Sequence, residues 1–284
     1  MPDVHEQTKT MRLALTNDKA AAPLDPLRPG MPALDSIHDD KTVITPTAGG
    51  PSYRIIKTTE VDTYESTPTA KALAKVLKGA KAPSKTAVAK AAKPTPAASD
   101  NFAGTARKAA KLSTATAPME NFADVSALIA TLPSVDAMVK LNIPTTSTSD
   151  RVSQEKRNVH VTGFLFAASR EADNDFHMII GRDPSVPAQE MYMTMELSGL
   201  PPTNFPAFPA LSAARAAFTQ FFGAANLPGA GYHFYQPPVP VVIEGSLFFD
   251  ATHATGQAPG PPSLKSRMPT IWEVHPVSKI KLGP

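Results

Sequence analysis

The sequence predicts a mainly β protein with five strands and one α-helix between the third and fourth strands, preceded by short helices and a long disordered N-terminal region. Two patterns predict this class. Between residues 151 and 284, apolar and polar side chains alternate in five segments, which is the period of a strand. Residues 1–118 show no lasting period, and 30 prolines with 7% aromatic residues indicate that much of the chain does not pack into a core.

The first 118 residues are predicted to form a disordered tail. Residues 1–50 are rich in Pro, Asp and Thr and cannot bury enough apolar surface to offset about 1 to 2 kcal/mol of backbone entropy per ordered residue. Residues 53–64 are an exception, because β-branched and aromatic residues are concentrated there. They could add a strand to the sheet edge of a partner or form an apolar patch in the tail, and we expect the patch.

Basic residues are concentrated in residues 70–118, which contain ten Lys or Arg and one acidic residue, Asp100. The ten are Lys71, Lys75, Lys78, Lys81, Lys85, Lys90, Lys93, Arg107, Lys108 and Lys111. Such a segment could be an arm that binds nucleic acid by neutralising phosphates, or a solvated spacer. We expect the spacer, since aromatic side chains for base stacking are not interleaved with the lysines.

Residues 119–150 are predicted to hold short helices and a linker. Phe122, Val125 and Ile129 recur at helical spacing before Pro133, and a second apolar run covers residues 135–141. Helices this short are marginal alone, so we expect them to pack on the downstream domain.

The folded domain is predicted to span residues 151–284. Its strands are expected at 159–168, 175–181, 191–197, 239–250 and 270–282, and its helix at 209–222. Strand, strand, strand, helix, strand, strand is the order of an oligonucleotide-binding (OB) type of barrel. In the last strand, Trp272 is predicted to be a core residue, and Glu273 to pair with Lys279 or Lys281.

Three motifs resemble a recurrent pattern in uncharacterised bacterial proteins. They are D-N-D-F-H at 173–177, F-F-D-A-T-H at 248–253 and W-E-V-H-P-V at 272–277. The resemblance covers roughly residues 159–282 and implies a bacterial OB-like domain, without an established activity. The chain departs from that pattern in the A-T-G-Q-A-P-G-P-P loop after His253.

Six ionisable residues form a candidate polar cluster at the polar face or ends of the predicted strands. They are Asp175, His177, Glu196, Asp250, His253 and His275. Carboxylates and imidazoles of this kind could hold a divalent metal or act as general acid and base. No pair has the helical i, i+4 spacing that makes H-E-X-X-H specific, so we expect a structural or binding role, with a metal or catalytic site as the alternative.

The function expected from these patterns is a non-enzymatic binding or assembly module whose OB-like barrel and flexible basic tail contact nucleic acid or a protein partner. The aromatic residues that could stack on bases are Phe164, Phe166, Tyr192 and Phe248. One alternative is a metal-assisted hydrolase acting through His177, Glu196, Asp250 and His275. Another is a structural subunit of a larger complex.

Several classes are excluded or disfavoured by composition. The chain has no cysteine, so disulfides, thiolate metal sites and cysteine nucleophiles are excluded. No Walker loop, G-X-S-X-G or dinucleotide fingerprint occurs. There is no apolar run of signal-peptide length and none near the ~20 residues that span a bilayer, so we expect a cytoplasmic protein.

Overall fold

A computed structural model describes residues 41–62, 100–186, 190–254 and 259–284. The predictions made for residues 1–40 and 63–99, including the lysines from Lys71 to Lys93, lie outside these ranges. The strands are β1 (Lys41–Ile44), β2 (Tyr53–Lys57), β3 (Met119–Phe122), β4 (Asn158–Arg170), β5 (Phe176–Gly181), β6 (Tyr192–Leu197), β7 (His233–Phe249) and β8 (Trp272–Leu282). The α-helices in the same ranges are α1 (Lys108–Lys111), α2 (Val125–Ile129), α3 (Val135–Val139) and α4 (Phe208–Phe222).

The strands form one eight-stranded sheet in the order β1-β2-β7-β8-β6-β5-β4-β3, and β7 also pairs with β4. Hydrogen bonding therefore runs from β4 through β5, β6, β8 and β7 back to β4. Within this ring, β6 pairs with β8 in parallel and the other pairings are antiparallel. The ring brings side chains from strands that are distant in sequence onto common faces.

The five strands of the ring lie close to the five predicted segments. The main difference is in β7, which begins at His233 rather than at residue 239. Of its additional residues, 233–238, the first four pair with β2, which gives partners to their backbone hydrogen-bonding groups. Sequence reasoning missed this extension because β2 belongs to a segment assigned to the tail.

Residues 53–57 differ from the expected apolar patch in a disordered tail. They form β2, whose Tyr53, Ile55 and Ile56 are buried and which pairs with both β1 and β7 of the same chain. The apolar residues of this segment are therefore covered by the chain's own sheet rather than by a partner. With β1 and β3, this strand raises the number of described strands from the predicted five to eight.

The short helices pack on the domain, as expected from their length. Asp124 caps α2 by accepting a hydrogen bond from the backbone of Ala127, and Ser134 caps α3 in the same way from Ala137. The helix between β6 and β7, α4, ends at Gly223 with a positive φ of 78°.

Part of the core lies between α4 and the ring. Phe218 of α4 stacks on Phe176 of β5 with ring centroids 5.2 Å apart. Trp272 of β8 is fully buried, as predicted, and its indole N–H donates to the Pro133 carbonyl at 2.9 Å. Within the described residues, the helices are all too short or too polar to cross a membrane.

Candidate metal centre

Four of the six predicted polar residues converge at one end of the ring. His177 of β5 lies directly opposite Glu196 of β6, and β6 pairs with β8, which carries His275. Asp175 joins them from the residue before β5. All four side chains are essentially buried, so strand pairing has gathered two carboxylates and two imidazoles away from bulk water.

Asp175, Glu196 and His275, which we call the central cluster, hold their ligand atoms within 4.8 Å of one another. His275 Nδ1 lies 2.7 Å from Glu196 Oε2, and His275 Nε2 lies 3.4 Å from Asp175 Oδ2. Gly199 donates its backbone N–H to Asp175 Oδ1 at 2.6 Å, which leaves Oδ2 for the cluster. Three potential metal ligands thus share one small buried volume.

The atoms that face one another in the central cluster lack hydrogen bonds. Asp175 Oδ2, Glu196 Oε2 and both ring nitrogens of His275 have no hydrogen-bond partner, although they lie in close electrostatic contact. A buried polar atom left without a hydrogen bond costs about 1 to 3 kcal/mol. The two carboxylate oxygens and one of the imidazole nitrogens form a three-atom ligand set of the kind expected around a bound cation.

A neighbouring group, the outer cluster, consists of Asp62, Glu171 and His177, whose ligand atoms also lie within 4.8 Å of one another. Asp62 comes from the segment after β2, and Glu171 from the turn between β4 and β5. In that turn, Asn174 adopts a positive φ of 74° and donates its backbone N–H to the Glu171 carbonyl at 3.1 Å. The turn holds Glu171 and Asp175 close to the same end of the ring.

Lys111 contributes the ammonium group of the site. Its Nζ lies 3.2 Å from Asp173 Oδ2 and 3.6 Å from Asp175 Oδ2. Burial acts to lower the pKa of Lys111, but attraction by Glu196, Asp175 and Asp173 outweighs it and raises the pKa well above its ordinary value. The lysine therefore stays charged and partly neutralises the acids.

The acids differ in charge state because their neighbours differ. Burial, and then repulsion from Asp173, raises the pKa of Asp175 well above its usual value. Burial and the charge of Glu196 do the same to the pKa of Glu273. Burial also acts on Glu196, but attraction to His275 and Lys111 outweighs it and holds the Glu196 pKa well below its ordinary value. The raised pKa values of Asp175 and Glu273 thus favour protonation, which neutralises part of the acid surplus.

The pKa values of His275 and His177 shift in opposite directions. Burial lowers the pKa of His275 despite attraction by Glu196, which favours the neutral imidazole, the form that ligates metals. For His177, burial acts in the same direction, but Asp62, Glu171 and Glu196 outweigh it and raise the pKa well above its ordinary value.

A cavity of about 200 Å³ opens beside the central cluster. Its lining residues include Lys111, Glu171, Asp173, Glu196, Asp250, His253 and Glu273. Asp250 and His253, the other two predicted residues, are paired with each other at its wall. Burial acts to lower the pKa of His253, but Asp250 outweighs it and raises that pKa. The cavity gives a small molecule access to the carboxylates and to this pair.

Sequence reasoning missed several residues of the site. Asp62, Glu171 and Lys111 lie outside the predicted strands, and nothing in their local sequence signals their position. Glu273 offered a signal, since it lies two residues before His275 in the last strand. The sequence nevertheless predicts an ion pair of Glu273 with Lys279 or Lys281. Lys279 instead contacts Glu244 at 2.8 Å.

Most of the predicted nucleic-acid contacts that lie in the described ranges are buried or paired within the chain. Arg107 is buried and forms a bidentate pair with Glu155 at 2.6 and 2.7 Å. Lys111 belongs to the acidic site, and Lys108 and Phe164 are half-buried. Phe166, Tyr192 and Phe248 are buried among other side chains and cannot stack on bases. Tertiary contacts bury Arg107 and the three aromatic side chains.

Comparison of the chain with protein-family models, with curated proteins and with solved structures found no match. The resemblance of the three motifs to bacterial OB-like proteins therefore stays a prediction.

Proposed function

We propose that the chain is a metal-assisted hydrolase built on an OB-type barrel, with a divalent metal held by Asp175, Glu196 and His275. The cyclic pairing of β4, β5, β6, β8 and β7 supports the barrel, as does the position of α4 between the third and fourth strands of that set. The metal site uses three of the residues predicted for the polar cluster.

The observation that carries the proposal is the set of unpaired buried atoms in the central cluster. Asp175 Oδ2, Glu196 Oε2 and the His275 nitrogens converge without hydrogen bonds. A cation would be held by the two carboxylate oxygens and one of the two His275 nitrogens, because the lone pairs of an imidazole ring point in different directions. Structural histidines and carboxylates of a core are ordinarily hydrogen-bonded in full.

The donor set indicates which ions fit. Imidazole suits Zn²⁺ and other transition metals, whereas carboxylates also suit Mn²⁺ and Mg²⁺. One imidazole with two carboxylates therefore favours Zn²⁺ or Mn²⁺. An ion of this kind supplies a water molecule whose pKa is lowered toward neutrality.

The cavity places groups that hydrolysis needs beside the metal site. Lys111 lines it and carries a positive charge that would attract an anionic ester, such as a phosphoester. His253, supported by Asp250, lines the same cavity and can transfer a proton to or from a leaving group. A substrate bound there would meet a cation, a charged lysine and a histidine.

The test is metal-dependent turnover. Protein stripped with a chelator and reloaded with Mn²⁺ or Zn²⁺ should hydrolyse a chromogenic phosphodiester or carboxylic ester, and the stripped protein should not. Asp175→Asn should abolish both metal binding and turnover, whereas Glu244→Gln, which alters a carboxylate near the surface of β7, should preserve them. Absence of bound metal at millimolar concentration, or turnover unaffected by Asp175→Asn, contradicts the proposal.

A further inference from the structure

We propose that the outer cluster of Asp62, Glu171 and His177 is a second divalent-cation site, bridged to the first by Glu196, so that the protein holds two metal ions. This inference rests on the proposed function, because the bridge exists only if the central cluster binds an ion. It assigns a role to residues that the single-metal proposal does not use.

Two carboxylate oxygens crowd one imidazole nitrogen in the outer cluster. His177 Nδ1 lies 2.9 Å from Glu196 Oε1 and 3.1 Å from Glu171 Oε1. A single N–H can donate a good hydrogen bond to only one of them, and Glu196 is the partner with hydrogen-bond geometry. The Glu171 carboxylate therefore lies beside His177 Nδ1 without a good hydrogen bond. A cation bound between this nitrogen and the two carboxylate oxygens would explain that position.

Asp62, the other acid of the outer cluster, also lies close to His177. Asp62 Oδ1 lies 3.9 Å from His177 Nε2 and accepts a short hydrogen bond from the buried Tyr232 hydroxyl. Two acids therefore approach one histidine and each other, while Tyr232 fixes the orientation of Asp62 as partners of metal ligands do.

Glu196 lies between the two clusters. Its Oε1 faces His177 and its Oε2 faces His275, so each oxygen belongs to a different cluster. Carboxylates that bridge in this way hold two metal ions about 3.5 to 4 Å apart in two-metal hydrolases. Glu196 Oε2 also has no hydrogen-bond partner despite full burial, which is consistent with a ligand on that side.

The charge of the whole group supports two ions rather than one. Six carboxylates lie in the two clusters or directly beside them, and among the ion pairs of the described residues Lys111 is the lysine that contacts them. They are those of Asp62, Glu171, Asp173, Asp175, Glu196 and Glu273. Uncompensated charge is costly in a buried setting. When metal binding has displaced the protons from these carboxylates, one divalent ion leaves an acid surplus, and a second brings the group close to neutrality.

The experiment measures Mn²⁺ stoichiometry on the full chain by equilibrium dialysis and elemental analysis. The wild type should bind two ions per chain, and the Asp62→Asn, Glu171→Gln double variant should bind one. Glu244→Gln serves as the matched control and should still bind two. Tryptophan fluorescence from Trp272 verifies that each variant is folded.

The two proposals fail in different ways. No ion in the wild type overturns both. One ion in the wild type overturns the second site and leaves the first. Two ions in both the wild type and the double variant place the second ion elsewhere and also overturn it. If the double variant does not fold, the Mn²⁺ electron paramagnetic resonance spectrum of the wild type decides: an exchange-coupled pair supports the bridge, and isolated ions contradict it.

Discussion

Glu196 joins two histidines from different strands, with Oε1 2.9 Å from His177 Nδ1 and Oε2 2.7 Å from His275 Nδ1. Glu196→Gln keeps the shape of the side chain but removes its charge. Since supporting residues alone alter metal affinity by about 10 to 100-fold, we expect this change to weaken Mn²⁺ binding at least about tenfold. Isothermal titration calorimetry checks it against Glu244→Gln, and equal affinities in the two variants would contradict a ligand role.

Metal should stabilise the folded protein. An ion that binds only the native state adds about 2.7 kcal/mol at a concentration 100 times its dissociation constant. We therefore expect Mn²⁺ or Zn²⁺ to raise the thermal midpoint of the wild type by several degrees and a chelator to reverse the shift. Thermal unfolding followed by circular dichroism measures this. Asp175→Asn should show no shift, and a shift of wild-type size in that variant would place the ion elsewhere.

Arg107 should be a major contributor to stability. Its guanidinium forms the buried pair with Glu155 and donates to the Phe249 carbonyl at 3.1 Å. Breaking a buried pair by removing one partner costs about 3 to 5 kcal/mol, because the other charge is left uncompensated. Arg107→Ala should lower the free energy of unfolding in urea by that amount. Lys108→Ala, which alters the half-buried neighbour, should change it by less than about 0.5 kcal/mol.

Trp272 should be similarly important through packing. It is fully buried against Phe249, with ring centroids 5.3 Å apart. Trp272→Ala should cost about 3 to 5 kcal/mol and Trp272→Phe less, because the phenyl ring leaves a smaller cavity. Circular dichroism must follow unfolding, since both variants lack the only tryptophan. A cost below about 1 kcal/mol for the alanine variant would show that this position is not a core site.

Strand β2 should contribute to the stability of the sheet. Ile55 is fully buried, whereas Val43 on the neighbouring β1 is 62% exposed. Ile55→Ala should cost about 2 to 5 kcal/mol, and Val43→Ala should have little effect. Urea unfolding compares the two variants. Equally small effects would mean that residues 53–57 do not belong to the cooperative fold.

The strands of the ring could be predicted because their signal is local. Residues 159–168, 175–181 and 191–197 alternate, and β4, β5 and β6 lie where this alternation indicates. A side chain's period along a strand is set by backbone geometry alone. The types of residue in the polar cluster were visible for the same reason, as were the burial of Trp272 and the position of α4.

The charged and aromatic side chains outside that pattern could not be placed in this way. Arg107 and Lys111 were assigned to a solvated arm, because a lysine-rich, proline-interrupted segment is ordinarily exposed. The acids that form ion pairs with them, Glu155 and Asp175, lie far along the chain, and no local signal links the two regions.

The sequence by itself determined which segments form strands, where the long helix lies, and that imidazoles and carboxylates would be available without cysteine. Only the tertiary structure decided that Asp175, Glu196 and His275 meet, that Asp62 and Glu171 approach His177, and that β2 joins the sheet. The reason is physical: secondary structure follows from neighbouring residues, whereas burial and the sharing of charge depend on contacts between segments that only the completed fold brings together.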